Sequence, residues 1–152
     1  MPHSPRWYQD RLWLLESGTG NLGHVDLKTG HYEPIVHLRG FTRGLDFYGK
    51  IAFVGLSQVR ETAVFSGLEV TERLTEEERI CGVSVIDIVA GEEIAFLQFE
   101  DALQEIFAVC VLAGKRFPDL VNDDPEVTGN TFVLPDASLA DVGQCSHQKD
   151  RT

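Results

Sequence analysis

Two residues in this sequence, Arg43 and Glu105, stand where they could bind a ligand. Arg43 directly precedes a predicted strand over residues 44–48, and Glu105 opens another predicted strand over residues 105–112. An arginine guanidinium binds carboxylates through two parallel hydrogen bonds, and a carboxylate binds cationic groups in the same charge-assisted way. The pair predicts a site for a small polar or zwitterionic ligand. The alternative is a structural role, as an ion pair or as an arginine that caps backbone carbonyls.

Four further residues are weaker candidates for the same ligand-binding surface. His3 and Arg6 share a predicted N-terminal loop, which either lies over the site or is a mobile terminus. Arg60 and Glu61 stand at the mouth of a predicted insertion. No catalytic residue is assigned among the six candidates, and a non-enzymatic role is favoured.

The histidines and cysteines do not have the spacing of a metal site. The five histidines form no i, i+2 or i, i+4 pairs, and the three cysteines are widely separated. Cys81 and Cys110 lie in strand-like runs, where a free cysteine is usually a small buried hydrophobe. Cys145 lies in a polar tail. We therefore expect no disulfide framework, no metal and no cofactor.

An apolar-Asp-apolar-x-x-Gly phrase occurs twice, as Val25-Asp26-Leu27-Lys28-Thr29-Gly30 and as Ile86-Asp87-Ile88-Val89-Ala90-Gly91. Each copy is followed by a second apolar run, so the phrase marks a repeated hairpin. An Asp that opens a turn ending in Gly hydrogen-bonds the backbone amides of that turn. We therefore predict a structural role for Asp26 and Asp87 rather than a catalytic carboxylate pair.

The strands that must position these residues are short, β-branched or aromatic, and about ten residues apart, which is typical of an all-β fold. The predicted strands cover residues 11–16, 22–27, 32–38, 44–48, 51–56, 81–88, 94–99 and 105–112, the last being either a strand or a short helix. The strands over 44–99 form one four-stranded antiparallel meander, and residues 11–38 supply the last three strands of a preceding one.

The second copy of the repeat carries an insertion, assigned to residues 58–80. Thr75 followed by Glu78 is a capping box and predicts one or two helical turns, with a solvated acidic loop as the alternative. Apolar residues in the insertion are expected to pack against the body; they are Val64, Phe65, Leu68, Val70 and Leu74. The predicted domain organisation is a repeat region over 1–116, an extended segment over 117–140 and a disordered tail over 141–152.

The composition is that of a globular domain with a strong excess of acidic groups. The formal net charge is −11, and no basic patch is present, which argues against nucleic-acid and anionic-membrane partners. No apolar run approaches the roughly 20 residues of a membrane-spanning helix. The N-terminus lacks a signal-peptide stretch, so the expected location is cytoplasmic.

These phrases resemble known repeat families. The strand-turn-strand pattern is similar to YncE-like and SMP-30-like β-propellers. A closer resemblance is to an uncharacterised bacterial family with propeller-like repeats. The phrases that carry this resemblance include Pro2-His3-Ser4-Pro5-Arg6-Trp7, Leu14-Leu15-Glu16-Ser17-Gly18-Thr19-Gly20, Gly40-Phe41-Thr42-Arg43-Gly44-Leu45 and Phe53-Val54-Gly55-Leu56-Ser57. The resemblance implies a partial β-propeller of about two blades with a short helical insertion. Members of that family are about twice as long, so the chain resembles their C-terminal part.

Three functions follow from this interpretation. The first is a non-enzymatic binding module for a small polar molecule or a protein, with Arg43 and Glu105 on its working face. The second is a metal-dependent hydrolase or lactonase of the SMP-30-like type, for which Glu105 and Asp46 would be the ligands. The third is a structural fragment that completes a propeller with another chain through its open blade edges.

Overall fold

Two four-stranded antiparallel sheets make up the repeat region in the computed structural model, which describes residues 1–58, 67–100, 103–116, 118 and 125–129. The first sheet contains β1 (Pro2–Tyr8), β2 (Arg11–Glu16), β3 (Asn21–Val25) and β4 (Tyr32–His37). The second contains β5 (Phe41–Tyr48), β6 (Ile51–Ser57), β7 (Gly82–Asp87) and β8 (Glu92–Gln98). Within each sheet, every strand pairs with the next along the chain. The predicted all-β fold of four-stranded meanders is confirmed, and it is consistent with a partial propeller of about two blades.

Both sheets belong to one compact unit, Met1–Gly114, and a second unit covers Lys115–Thr152. Within the second unit the structure describes a short helix, α2 (Pro125–Thr128). The predicted tail over 141–152, with Cys145, lies outside the described residues. In the part of the chain that is described, neither helix has the length and apolar character needed to cross a membrane.

The first sheet has one strand more than predicted, because residues 2–8 form β1 instead of a loop. Pro2, Pro5 and the left-handed Ser4 (φ 51°) interrupt the alternating pattern by which a strand is recognised in sequence. The order of the sheet places β1 at an edge, where proline is tolerated because one side of the strand makes no ladder bonds. The prediction of an N-terminal loop at His3 and Arg6 is therefore wrong.

The apolar core lies between the two sheets. Trp13, Leu15 and Leu22 enter it from the first sheet, whereas Leu45 and Phe47 enter it from the second. The two first strands, β1 and β5, lie against each other, and the ring of Tyr8 on β1 stacks on Phe47 with centroids 4.5 Å apart. Burial of these side chains holds the sheets together, because removing apolar surface from water is the main favourable term in folding.

Residues 103–112 form an extended segment that the structure assigns to neither strand nor helix. The predicted strand over 105–112 is therefore not formed, since no described strand pairs with it. Cys81 is buried as predicted, but Cys110 on this segment is exposed, so the prediction of a buried thiol is wrong there.

The insertion contains a short helix, α1 (Glu69–Arg73), which ends before the predicted capping box begins. The capping bond itself is present, because the Thr75 N–H donates to Glu78 Oε2 at 2.8 Å, but it closes only a turn. The helix forms earlier because Val70 is fully buried against Phe41. Leu68 and Leu74 pack beside them as predicted, whereas Val64 and Phe65 lie outside the described residues.

Asp26 and Asp87 are structural, as the repeat predicted. The Asp26 carboxylate accepts the Lys28 N–H at 2.8 Å, and Asp87 accepts the N–H groups of Val89 and Ala90 at 2.9 and 3.2 Å. Both turns close through the same bond, from the glycine N–H to the aspartate carbonyl. Asp87 has one more partner, Lys50 Nζ at 2.7 Å.

We predict that Asp87→Asn lowers the melting temperature at neutral pH and has little effect in strong acid. The hydrogen bond from Lys50, followed by the N–H groups of Ala90 and Val89, lowers the pKa of Asp87 below its ordinary 3.8. A lowered pKa in the folded state stabilises the fold above the unfolded-state pKa, and that contribution disappears as pH falls through the folded-state value.

Thermal melts of both chains across the pH range test this dependence. The matched control is Asp26→Asn, which occupies the same turn position without a lysine partner and should cost less at pH 7. Melting differences that stay constant as the pH falls through the acid range would contradict the assignment, because protonation of Asp87 removes the contribution of its lowered pKa.

Candidate functional site

The first strand of each sheet, β1 and β5, carries a bulge at the same place, and we call these two strands the inner strands. The pairing of β1 with β2 shifts between His3 and Arg6, and the pairing of β5 with β6 shifts between Thr42 and Leu45. Gly44 (φ 82°) makes the second bulge, and its N–H donates to the Ser4 hydroxyl, at the first bulge, at 3.0 Å. Bulges redirect side chains out of the regular alternation of a strand. The residues just before them are therefore aimed differently from their neighbours.

A third segment repeats the place of β1 and β5. The Ser17 hydroxyl at the end of β2 donates to the Thr42 carbonyl on β5 at 2.6 Å. Ser57, at the end of β6, makes the corresponding bond to the Ile106 carbonyl at 3.2 Å, and the Ile106 N–H donates back to the Ser57 hydroxyl at 2.9 Å. Ile106 therefore makes the same contact with the second sheet that Thr42 makes with the first.

This register makes His3, Arg43 and Phe107 equivalent residues of three successive inner segments. Tyr8 and Tyr48 end β1 and β5 with the same hairpin pairing, so that His3 and Arg43 correspond. Arg43 and Phe107 correspond because they follow Thr42 and Ile106. We call these three residues the inner triad. The triad is a row of side chains on adjacent elements, which is the arrangement that a shared ligand site requires.

Arg43 lies over the ring of Phe107, with its guanidinium carbon 4.3 Å from the ring centroid. A cation over an aromatic face is attracted by the ring quadrupole, and the contact fixes the plane of the guanidinium. No hydrogen bond or ion pair joins the Arg43 side chain to another of the described residues. The half-buried guanidinium is thus oriented while its N–H donors remain available to a ligand.

His3 is held in one tautomer by the Ser17 hydroxyl. Its Nδ1 lies 2.6 Å from Ser17 Oγ, and that hydroxyl gives its only proton to the Thr42 carbonyl. Nδ1 must therefore be the donor. Burial, followed by the nearby positive charge of Arg43, lowers the pKa of His3 below its usual value. The lowered pKa favours the neutral imidazole. Ser17 is fully buried and its hydroxyl proton is directed at a carbonyl, so no base among the described residues is placed to activate it as a nucleophile.

The other predicted site residues do not join the inner triad. Glu105 is exposed two residues before Phe107, and no ion pair between it and Arg43 occurs within the described chain. Its charge acts on Cys81 instead, where burial is the main cause that raises the pKa of the thiol. Arg6 is exposed and bonds the Pro5 carbonyl. Arg60 and Glu61 lie outside the described residues.

Asp46, the second carboxylate that a metal site would need, is occupied by backbone amides. Its Oδ1 accepts the N–H of Phe47 at 2.9 Å, and its Oδ2 accepts the N–H of Val111 at 2.6 Å. The carboxylate thereby ties the third inner segment to β5. Across the described ranges, no group of three or more His, Cys, Asp or Glu side chains is arranged to hold a metal ion.

Sequence reasoning missed Phe107 and the role of Ser17. The signal was present, because Trp13-Leu14-Leu15-Glu16-Ser17 parallels Phe53-Val54-Gly55-Leu56-Ser57. Extending that alignment back through each hairpin pairs His3 with Arg43. The third member could not be found in this way, because residues 103–112 have no second strand against which to set a register.

One family model matches the chain: a domain of unknown function, DUF4915, over residues 1–121. This range includes both sheets and the inner triad. Comparison with curated proteins and with solved structures gave no match.

Proposed function

Because the chain belongs to the DUF4915 family, whose function is unknown, we propose its role from the inner triad: it is a non-enzymatic module that binds a small carboxylate-bearing molecule at Arg43. The observation that supports this is the orientation of Arg43. Its guanidinium is held over Phe107 while its N–H donors have no partner among the described residues.

The charge balance of the chain favours a small ligand over a large anionic one. At a formal net charge of −11, the chain repels large polyanions. Because salt screens the charges of separated groups, Arg43 attracts an anionic ligand only at short range. A carboxylate fits the planar fork of arginine through two parallel hydrogen bonds. Glu105, exposed at the start of the segment that carries Phe107, would accept an ammonium group of a zwitterionic ligand.

The hydrolase alternative has less support. It requires carboxylates that are free to coordinate a metal ion, and both oxygens of Asp46 already accept backbone N–H groups. The inner triad itself contains a cation, a neutral imidazole and an aromatic ring. Such a set binds and orients an anion, whereas the carboxylate ligands that hard metal ions prefer are lacking in it.

We predict that Arg43→Ala abolishes the rise in melting temperature that a binding carboxylate produces, and weakens its affinity about tenfold to a hundredfold. That range corresponds to the loss of charge-assisted hydrogen bonds of about 1.5–3 kcal/mol. The screen uses amino acids, dicarboxylates and 2-oxo acids, followed by calorimetric titration of the molecules that stabilise the wild-type chain. Arg43→Lys keeps the charge without the fork and should retain only part of the affinity.

Arg39 supplies the matched control. It also lies over an aromatic ring, Phe96, at 4.5 Å, but its charge is paired with Glu93 at 3.7 Å. Arg39→Ala removes the same charge and the same kind of stacking, so ligand binding should survive it. The proposal fails if no carboxylate stabilises the wild-type chain, or if Arg43→Ala binds as well as Arg39→Ala.

A further inference from the structure

The contact between β1 and β5 has a counterpart further along the chain, between β5 and residues 105–112. The first contact is accompanied by the bond from Ser17 to Thr42, and the second by the bond from Ser57 to Ile106. Gly44 touches the flanking elements on both sides: its N–H meets Ser4, and a Cβ built on it would lie 2.9 Å from Ala108. The repeat unit therefore continues beyond the second sheet.

The face of the first sheet that points away from the second sheet is equivalent, by the repeat, to the face of the second sheet that packs against the first. Trp7 holds the place of Phe47, and Leu12 and Leu14 hold those of Ala52 and Val54. Phe47 is 8% exposed, and Ala52 and Val54 are fully buried, whereas Trp7 is 60% exposed and the two leucines are half-buried. The difference arises because Phe47 is covered by the ring of Tyr8, whereas no ring among the described residues stacks on Trp7.

Exposed apolar side chains also lie on the third inner segment. Leu112 ends the third inner segment, at the place of Tyr8 and Tyr48, and it is 53% exposed. Its neighbours on the same segment, Leu103 and Phe107, are also exposed. Several exposed apolar side chains on one short segment are typical of interaction surfaces.

We propose that a second copy of this chain covers Trp7, with the third inner segment of one copy seated on the first sheet of the other. The two ends are complementary because the chain already uses this contact between its own elements.

Such a contact is heterologous, since different surfaces of the two copies meet, and it either closes into a ring or propagates. In the assembled state, His3 of one copy would follow Phe107 of the other, as Phe107 follows Arg43 within one copy. Association would then extend the inner triad. The inference is independent of ligand binding and is tested by mass alone.

Sedimentation velocity over a concentration series tests it with two single variants, Trp7→Asp and Leu112→Asp. Each places a charge in the apolar contact, which should raise the dissociation constant at least about tenfold and leave each variant monomeric. Both positions are exposed, so the melting temperature of the monomer should not change. A control, Val89→Asp, alters an equally apolar but 80% exposed turn residue outside both surfaces and should associate like the wild type.

Mixing the two variants distinguishes head-to-tail contact from other arrangements. Trp7→Asp keeps a functional third segment and Leu112→Asp keeps a functional first sheet, so an equimolar mixture should form a dimer although neither variant does so alone. A wild-type chain that stays monomeric over the concentration series overturns the proposal. Association of Leu112→Asp at wild-type strength also overturns it, because two first sheets would then be facing each other.

Discussion

Replacing Gly55 with alanine is expected to lower the free energy of unfolding by about 3 kcal/mol, because overpacking that forces the backbone to move lies at the upper end of the usual range. A Cβ on Gly55 would lie 2.3 Å from the Arg43 carbonyl and 2.6 Å from Ile106 Cγ2. Gly55 is paired with Val83 in the middle of the second sheet, so the strand cannot shift to make room. Either β5 or the third inner segment must move.

The measurement is urea unfolding of Gly55→Ala beside Gly18→Ala. At Gly18 the added Cβ would make an ordinary contact, 3.4 Å from Leu68 Cδ2, so the same chemical change should alter stability little. Because Ile106 adjoins Phe107, Gly55→Ala should also weaken carboxylate binding at Arg43. Equal unfolding free energies for the two variants would show that the third segment does not pack on β6 as described.

The second large effect is expected for Trp13→Ala, which should cost about 3–5 kcal/mol, the usual range for truncating a buried tryptophan. Trp13 is 2% exposed and packs between Phe47, at 5.5 Å, and the edge-on ring of His24, at 5.3 Å. Its indole N–H donates to the Tyr8 carbonyl at 3.0 Å, which ties β2 to the end of β1. The substitution therefore removes core volume and frees the first inner strand.

Trp7→Ala is the matched control for Trp13→Ala. Trp7 is 60% exposed in the monomer, so at low protein concentration its loss should change the unfolding free energy by less than about 1 kcal/mol. Near-ultraviolet circular dichroism should lose its tryptophan bands mainly in the Trp13 variant. A greater loss of stability for Trp7→Ala would mean that the first sheet packs through its other face.

The hairpins were the most predictable part of the fold. Asp26 and Asp87 are recognisable because a carboxylate that bonds its own turn is a local device, encoded within six residues. The strand at residues 2–8 was not predictable from alternation, since its bulge at Ser4 is stabilised by Gly44, far away in the sequence. The helix of the insertion likewise follows burial of Val70 against Phe41, which outweighs the capping signal at Thr75.

Two of the three inner-triad residues, His3 and Arg43, were predicted as candidate site residues, whereas Phe107 was not. Arg43 could be chosen because it precedes an inner strand, but its aromatic partner depends on how three inner segments align across two sheets. That alignment is set by the buried hydroxyls of Ser17 and Ser57, each contacting the next segment. Glu105 was expected beside Arg43 because the sequence gives it a similar place in the next repeat. Phe107 holds the corresponding place and leaves the guanidinium donors available.

The most direct test of the carboxylate site is the NMR signal of the Arg43 Nε–H group, assigned by its loss in Arg43→Lys. Because the guanidinium lies over the ring of Phe107, the Nε–H resonance should be shifted upfield by the ring current, and Phe107→Leu should remove that shift. A stabilising carboxylate should then move this resonance downfield as it accepts the hydrogen bond, while the Nε–H of Arg39 stays in place. If the carboxylate binds and the Arg43 resonance does not move, the ligand lies elsewhere and the proposed site is wrong.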